Sequence, residues 1–316
     1  ACLWWAHTGA SAQTRVAWVL IGAFCGGLAW SFVGPARLTT LAQIARPDKL
    51  RPATIVFNLQ VLVGFGLAPL LIGVVRSRAG WGAVMGLSAA GFVLASLLIA
   101  NLRTQANATP SGNSVLADIG EGFRVVGVDP LLKQLMLAAV LGYAMTGPLQ
   151  ILLPKLARGV LGLSELQRGA YLGLLALSLI VGGVTALALA KRVHHGRVVF
   201  GGIVAGCLVF ASLSQIGSVA LSATGLACVG IAGGMVISLV VSGIQAQAPM
   251  AMRGRVMSMY SITSQVVPAL SGVAAGALVN AVGVVPAIQL SGLTLAGIVA
   301  LAAWRMGRLR GYSGNV

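Results

Sequence analysis

Long apolar runs, separated by short polar segments, make up most of the chain. Each run is close to the about 20 residues that an α-helix needs to cross a lipid bilayer. The runs are continuous, whereas the strands of a membrane β-barrel alternate apolar and polar residues. We therefore predict nine membrane-spanning helices, at about 16–34, 53–75, 82–102, 131–153, 169–190, 198–217, 219–244, 256–279 and 284–304.

The amino-acid composition also indicates a membrane protein. Of the 316 residues, 58% are hydrophobic and only 8% are charged, whereas ordinary globular domains carry roughly 25% charged residues. So few charges cannot cover the surface of a soluble protein, which leaves an all-α, multi-pass membrane protein. The 43 glycines are scattered through the apolar runs, where small residues let neighbouring helices approach closely.

Positive charge is distributed unequally between the loops. The net charge of +16 comes from 21 basic and 5 acidic residues, a balance that in a soluble protein would suggest nucleic-acid binding. When consecutive loops are assigned to opposite sides of the membrane, 15 of the 21 basic residues fall on one side and 6 on the other. Basic residues accumulate on the cytoplasmic side of membrane proteins. The charge therefore predicts a plasma (inner) membrane protein with a cytoplasmic C-terminus and no nucleic-acid partner.

Two short patterns occur twice in the chain. The Gln-x-x-x-Pro-x-x-x-Arg pattern of residues 43–51 returns at 245–253, and the Pro-x-Leu-x-Gly pattern of 69–73 returns at 268–272. When each copy is counted together with the span just before it, three predicted spans precede the second copy within its half, but none precedes the first. About three helices would then be missing at the start of the sequence. The complete protein would hold six plus six helices, the arrangement of the major facilitator fold.

Several segments resemble one branch of the major facilitator superfamily. The segment Gln245–Val256 is similar to the Gln-x-x-Val-Pro…Arg-Gly-Arg-Val stretch between the tenth and eleventh helices of this branch. The branch includes enterobactin exporters and macrolide efflux proteins of the transmembrane secretion effector type. The resemblance covers essentially the whole chain, from the end of the third helix to the twelfth. Shorter segments resemble the entry into the seventh helix and the seventh and eighth helices: 121–123, 129–132, 153–154, 171–173 and 182–183.

This resemblance implies an organisation and a function. Residues 1–102 would form the remainder of the N-terminal bundle, 103–130 a central cytoplasmic linker, and 131–316 the C-terminal six-helix bundle. The protein would be a monomeric secondary active transporter that exports a small amphiphilic molecule, siderophore- or drug-like, by alternating access. Coupling to protons and contact with membrane lipid are further expectations. An importer with the same fold and the membrane permease subunit of an ATP-driven system remain alternatives.

The residue types inside the spans argue against an enzyme. The predicted spans contain no acidic residue and no histidine, so they offer no catalytic acid–base pair. The adjacent His194 and His195 would point to different faces of a helix, and no carboxylate or thiol lies near them in sequence. We therefore expect no metal site and no cofactor. If transport is coupled to protons, the titratable group is expected in the missing helices.

The substrate cavity is predicted from polar residues in the spans. Ser261, Ser264 and Gln265 share one helix face, since they follow an i, i+3, i+4 spacing. Polar groups in lipid need partners or water, so this face contacts either another helix or the central cavity. The family's fold places further spans beside the cavity, and their candidates are Trp30, Asn58, Gln60, Tyr143 and Thr146.

Prolines and glycines in two spans are candidate bend or packing positions. Pro69 and Pro268 each remove a helix hydrogen bond and are expected to bend their helices, either to let a bundle rock or as a static packing feature. Gly64, Pro69 and Gly73 fit the Gly-Pro element of drug antiporters, although Ala68 replaces the glycine before the proline. Gly272 holds the position equivalent to Gly73 in the second copy.

Arginines at predicted cytoplasmic helix ends are candidate gate residues. Arg51, Arg253 and Arg255 occupy such positions. They could set the topology and contact lipid head groups. Alternatively, they could bond to the carbonyl groups at helix C-termini and hold the cytoplasmic side closed.

Overall fold

The computed structural model describes residues 11–44, 50–100, 115–189, 194–249 and 252–313. These residues form helices joined by short turns, without a β-strand among them, which confirms the all-α prediction. In chain order the helices are α1 (Ala12–Ile44), α2 (Leu50–Ala100), α3 (Val115–Val128), α4 (Pro130–Ala144), α5 (Thr146–Gly159), α6 (Glu165–Leu189), α7 (His195–Leu213), α8 (Val219–Gln247), α9 (Arg253–Val282), α10 (Val284–Arg305) and α11 (Gly307–Arg310).

Seven segments of the described residues are long and apolar enough to cross a bilayer. They support the prediction of a multi-pass membrane protein, because each reaches or exceeds the length that a span requires. The segment Leu67–Ala100 covers parts of two predicted runs, 53–75 and 82–102. The segment Pro130–Gly159 is longer than the run predicted at 131–153. The segments are Leu67–Ala100, Pro130–Gly159, Glu165–Ala186, His195–Leu213, Val219–Gln247, Arg253–Val282 and Val284–Arg305.

Helix α2 contains a sharp break at Gly80. The backbone there adopts φ 74° and ψ −176°, a conformation that glycine reaches without steric cost. The guanidinium carbon of Arg76 lies 4.3 Å from the ring centroid of Trp81, and this cation–π contact bridges the break. Over the residues described, the two apolar runs predicted at 53–75 and 82–102 therefore lie in two helical parts on either side of this break.

The chain divides into two compact units. The first comprises Ala1–Gly64 and Leu71–Pro110, and the second comprises Phe65–Leu70 and Ser111–Val316. Within the described residues, the first unit contains α1 and most of α2, and the second contains α3 to α11. The three-part organisation with boundaries at residues 102 and 130 stays a prediction.

Glycines bring α6 and α8 together in the second unit. A Cβ atom added to Gly182 of α6 would overlap the backbone of Ile231 in α8, and one added to Gly234 would overlap the backbone of Leu179. At Gly230, an added Cβ would lie 2.5 Å from the Cβ of Ser178. Small residues at such positions allow backbone-to-backbone packing in membranes. These two helices therefore approach more closely than ordinary side chains would permit.

Met145 separates α4 from α5 within the apolar run predicted at 131–153. Its backbone N–H points to the carbonyl oxygens of Gly142 and Tyr143, a tight turn that ends α4. Just beyond it, Gly147 lies so close to α9 that an added Cβ would overlap the backbone of Gly272. Gly272 and Pro268, two of the predicted bend or packing positions, thus lie where α5 crosses α9.

Helix α3 packs against the beginning of α9. The carboxylate of Glu121 pairs with the guanidinium of Arg255. One residue further along α3, a Cβ added to Gly122 would lie 2.8 Å from the sulfur of Met259. The contact of the two helices is therefore both ionic and apolar. Helix α3 belongs to the segment predicted as a linker, of which residues 103–114 lie outside the described part of the chain.

Candidate substrate-binding site

Two tyrosines from distant parts of the chain meet inside the second unit. The hydroxyl oxygens of Tyr143 in α4 and Tyr260 in α9 lie 2.6 Å apart. Their ring centroids are 5.8 Å apart with an interplanar angle of 59°, the tilted geometry that aromatic pairs favour. Tyr260 is 9% exposed. A buried phenol needs a hydrogen-bond partner, and each of these tyrosines provides it for the other.

Local helix structure explains how the pair forms. Tyr143 lies two residues before the break at Met145, in the last turn of α4. Tyr260 lies one turn after the buried Val256 on the inward face of α9. Ser264 follows Tyr260 by one more turn and lies close to the hydroxyl of Tyr143, while its own hydroxyl donates to the carbonyl oxygen of Ser261 over 2.7 Å. Three hydroxyl groups from two helices therefore converge, and we call Tyr143, Tyr260 and Ser264 the hydroxyl cluster.

An apolar cavity lies beside the hydroxyl cluster. Its cavity volume is only about 10 Å³, between α4, α8 and α9. A volume of this size is close to the least that holds one water molecule, and ligand pockets usually measure roughly 300–1,000 Å³. A drug-sized molecule could therefore enter only if these helices moved apart. Apart from the two tyrosines, its lining is apolar: Ala138, Ala139, Gly142, Val236, Ile237 and Val240.

The chemistry of this site is that of neutral hydrogen bonding. Tyrosine and serine hydroxyls can both donate and accept a hydrogen bond. The acidic side chains that the structure describes lie elsewhere. Glu121 of α3 pairs with Arg255 of α9, Asp129 caps α4, and Glu165 begins α6. An apolar wall with a few hydroxyl groups suits an amphiphilic molecule with a polar group at one end.

The structure separates the predicted cavity residues. Tyr143 and Ser264 lie in the hydroxyl cluster, and Thr146 is half-buried at the beginning of α5. Ser261 and Gln265 are exposed on another face of α9, so the predicted polar face is divided between two surroundings. In the first unit, the side chains of Trp30 and Gln60 are exposed, while that of Asn58 lies outside the described part of the chain.

Sequence reasoning did not single out Tyr260. The residue lies four positions before Ser264 and eight before Pro268, so it belongs to the same helix face as both. The signal was therefore present in the i, i+4, i+8 spacing. The candidates on this helix were its serine and glutamine side chains, and Tyr260 was not chosen because an aromatic residue in an apolar run is usually a core residue.

A second hydroxyl pair joins α6 to α8. The hydroxyl oxygens of Tyr171 and Ser222 lie 2.8 Å apart, and both residues are buried. They lie near the glycine contacts that bring the same two helices together. Because both partners satisfy each other, this pair has the features of a structural contact.

The predicted gate residues lie in three different situations. Arg255 pairs with Glu121 of α3, and its Nη1 also lies 3.3 Å from the sulfur of Met252. Arg253 is half-buried, and its Nε is buried without a hydrogen-bond partner among the described residues. The side chain of Arg51 lies outside the described residues. The acidic partner of Arg255 was not anticipated, since 134 residues separate the two.

The remaining bend or packing candidates lie in α2. Pro69 is half-buried within this helix, Gly73 is buried and Gly64 is exposed.

Within the part of the chain that the structure describes, no three His, Cys, Asp or Glu side chains lie close enough together to hold a metal ion.

Comparison with known proteins identifies the family. A sequence model of the Major Facilitator Superfamily matches residues 1–272. The chain belongs to this superfamily. The hydroxyl cluster and its cavity are therefore features of a major facilitator transporter, a multi-pass membrane protein and secondary transporter rather than an enzyme.

A solved structure has the same fold. The crystal structure of a bacterial homologue of the human lysosomal transporter Spinster, inward-facing and unoccupied, matches this major facilitator chain with a TM-score of 0.71. The sequences are 16% identical, and the match covers 98% of this chain and 80% of that one. At this identity the likeness concerns the fold alone, and it confirms the predicted major facilitator fold. A search of curated proteins gave no significant match.

Proposed function

We propose that this major facilitator transporter exports a small amphiphilic molecule, siderophore- or drug-like, by alternating access. The observation that carries the proposal is the hydroxyl cluster at the edge of an apolar cavity. Once α4, α8 and α9 move apart during the transport cycle, the cavity walls would receive the apolar body of the molecule, and Tyr143, Tyr260 and Ser264 would bond to its polar group. Such a site favours a substrate without a fixed charge at that group, because none of the described residues that line the cavity is charged.

The direction of transport and its coupling are parts of the same proposal. Export is supported by the resemblance of Gln245–Val256 to the corresponding stretch of exporters. Proton coupling would need a titratable group within the membrane, and we place it outside the described residues, because the described carboxylates lie at helix ends or in α3. The basic loops support a cytoplasmic C-terminus in the plasma (inner) membrane. We further propose that the transporter works as a monomer.

Transport assays on the full-length protein test the proposal. The protein is reconstituted into liposomes with an imposed pH gradient, and the movement of amphiphilic probes, such as rhodamine 6G and a catecholate siderophore, is followed by fluorescence. We expect probe movement in the direction opposite to proton flow. No movement of any amphiphilic probe, or movement that ignores the gradient, would contradict the proposal.

Variants connect the activity to the site. Tyr143→Phe, Tyr260→Phe and Ser264→Ala each remove one hydroxyl group, and each is expected to raise the KM for the transported probe about 2- to 10-fold, since a hydrogen bond contributes about 0.5–1.5 kcal/mol. Tyr171→Phe is the matched control, because it removes a phenol hydroxyl that bonds to Ser222 away from the cavity. Equal KM changes in the control and in the site variants would show that the hydroxyl cluster is not the binding site.

A further inference from the structure

The end of the described chain is attached to the beginnings of two earlier helices. Leu309 of α11 is fully buried, and its backbone N–H donates to Oε1 of Gln134 in α4 over 2.8 Å. The backbone N–H of Gly196 in α7 donates to the carbonyl oxygen of Tyr312 over 3.3 Å. The ring of His195 meets that of Tyr312 edge-on, with centroids 5.6 Å apart. At one end of the second unit, α4, α7 and the C-terminal segment therefore contact one another.

Gly196 brings the C-terminal segment especially close to α7. A Cβ atom added to Gly196 would overlap the backbone of Leu309 and would lie 2.9 Å from the Cα of Arg310. Arg197 follows Gly196 directly in the chain, and Lys133 directly precedes Gln134. Basic residues of three separate elements thus lie next to the same backbone contacts.

Five basic residues lie within four positions, along the chain, of the residues that form this junction, and we call them the basic corner. All five side chains are exposed. None forms an ion pair with an acidic residue that the structure describes. The carboxylate of Asp129, at the start of α4, accepts hydrogen bonds from the backbone N–H groups of Leu131 and Leu132. The basic corner consists of Lys133, Arg197, Arg305, Arg308 and Arg310.

Apolar side chains are exposed directly beside these cations. Trp304, which precedes Arg305, is 72% exposed, and Leu301 on the preceding turn of α10 is 53% exposed. On α4, Leu137 follows Lys133 by one turn and is 41% exposed. Exposed tryptophan next to basic residues is typical of the membrane–water interface. A molecule that fits both features carries an anionic head group and an apolar body.

We propose that the basic corner binds the phosphate head group of an anionic phospholipid, whose acyl chains lie against the exposed faces of α4 and α10. Basic clusters at the cytoplasmic ends of membrane helices attract anionic lipids. Here the cations are held around a junction fixed by hydrogen bonds between α4, α7 and α11, which gives the head group a defined place. The lipid, rather than a soluble phosphate, is the ligand because it also covers Trp304 and Leu301.

Thermal unfolding in detergent tests this lipid site. The full-length protein is titrated with dioleoylphosphatidylglycerol, with dioleoylphosphatidylcholine and with soluble glycerol 3-phosphate, and the shift of the Tm gives the apparent affinity. We expect stabilisation by phosphatidylglycerol at concentrations at least fivefold below those needed with the other two. Equal effects of the two lipids would overturn the proposal, as would an equal effect of glycerol 3-phosphate, which would identify a soluble phosphate as the ligand.

Two double variants locate the site. Arg308→Gln with Arg310→Gln removes two cations of the basic corner, and we expect at least a fivefold loss of apparent affinity for phosphatidylglycerol. The control, Lys155→Gln with Arg158→Gln, removes two exposed cations near the end of α5 and should retain the affinity of the unchanged protein. Equal losses in both variants would overturn the assignment.

Native mass spectrometry of the unchanged protein keeps the test decisive if the first variant does not fold. From an equal mixture of the two lipids, phosphatidylglycerol should be retained on the protein in preference to phosphatidylcholine, and Arg308→Lys with Arg310→Lys should keep that preference. No preference in the unchanged protein, or loss of the preference in the lysine variant, would contradict binding through the positive charge of the corner.

Discussion

Tyr143 and Tyr260 share a hydrogen bond between their hydroxyl groups although 117 residues separate them along the chain. The bond joins α4, just before its break at Met145, to the inward face of α9. It is the long-range polar contact around which the candidate substrate site is built. Its strength can be measured, because each phenol can be replaced by phenylalanine with little change of shape.

A double-mutant cycle measures this hydrogen bond. Tyr143→Phe, Tyr260→Phe and the double variant are compared by their free energy of unfolding in an SDS titration. We expect a coupling energy of about 0.5–1.5 kcal/mol, since hydrogen bonds within membranes fall in this range. Tyr143→Phe combined with Tyr171→Phe is the control pair and should be additive, because these two phenols have different partners. Additivity in both pairs would disprove the Tyr143–Tyr260 bond.

The pair Tyr171–Ser222 should respond unequally to the loss of either partner. Ser222→Ala leaves the buried phenol of Tyr171 without its partner, and we expect a destabilisation of about 1–3 kcal/mol. Tyr171→Phe should cost less, because a serine hydroxyl in a helix can bond to the carbonyl four residues earlier. The free energies of unfolding of the two variants are compared directly. A larger cost for Tyr171→Phe would contradict this reasoning.

The glycine contacts between α6 and α8 should not tolerate even one methyl group. We expect Gly234→Ala and Gly182→Ala each to destabilise the protein by about 1–3 kcal/mol, because the added carbon overlaps a backbone that cannot move aside. Gly206→Ala in α7 is the matched control, since nothing lies within 4 Å of its added Cβ. The control should be neutral or slightly stabilising, because alanine favours a helix over glycine by roughly 0.5–1 kcal/mol. Thermal unfolding in detergent distinguishes these outcomes.

The ion pair between Glu121 and Arg255 should act on transport more than on stability. Both side chains are about one-third exposed, and exposed pairs contribute only about 0.2–1 kcal/mol. Glu121→Arg and Arg255→Glu each place like charges together, so each is expected to change the transport rate, and the double variant is expected to restore it. Transport by correctly inserted single variants at the unchanged rate would exclude a gating role for this pair.

The positions of the membrane spans could be predicted because apolar length alone determines them. The run predicted at 219–244, for example, corresponds to α8, Val219–Gln247, and the run at 284–304 corresponds to α10, Val284–Arg305. The break at Gly80 lies in the polar segment predicted between the runs at 53–75 and 82–102, whereas the break at Met145 was not predicted. The break at Met145 depends on turn geometry within apolar sequence, where hydropathy does not change.

The candidate site was predicted only in part because its contacts are long-range. Ser264 was predicted from the polar face that it shares with Ser261 and Gln265, and Tyr143 from the family resemblance, which places its span beside the cavity. Tyr260 was not, since only the position of α4 beside α9 gives its hydroxyl a partner. Glu121 likewise becomes the partner of Arg255 only when α3 packs on the beginning of α9. Pairing across 117 or 134 residues is decided by helix packing, which a single sequence does not reveal.

The glycine contacts of α6 and α8 constrain how the protein can move. Helices usually slide past each other by exchanging side-chain rotamers across their interface. Where Gly182 faces Ile231 and Gly234 faces Leu179, no such layer of side chains separates the two backbones. We therefore expect these two helices to move together as one rigid body. A covalent cross-link between them should therefore leave turnover intact, and the sliding surfaces of the transport cycle belong to other helix pairs.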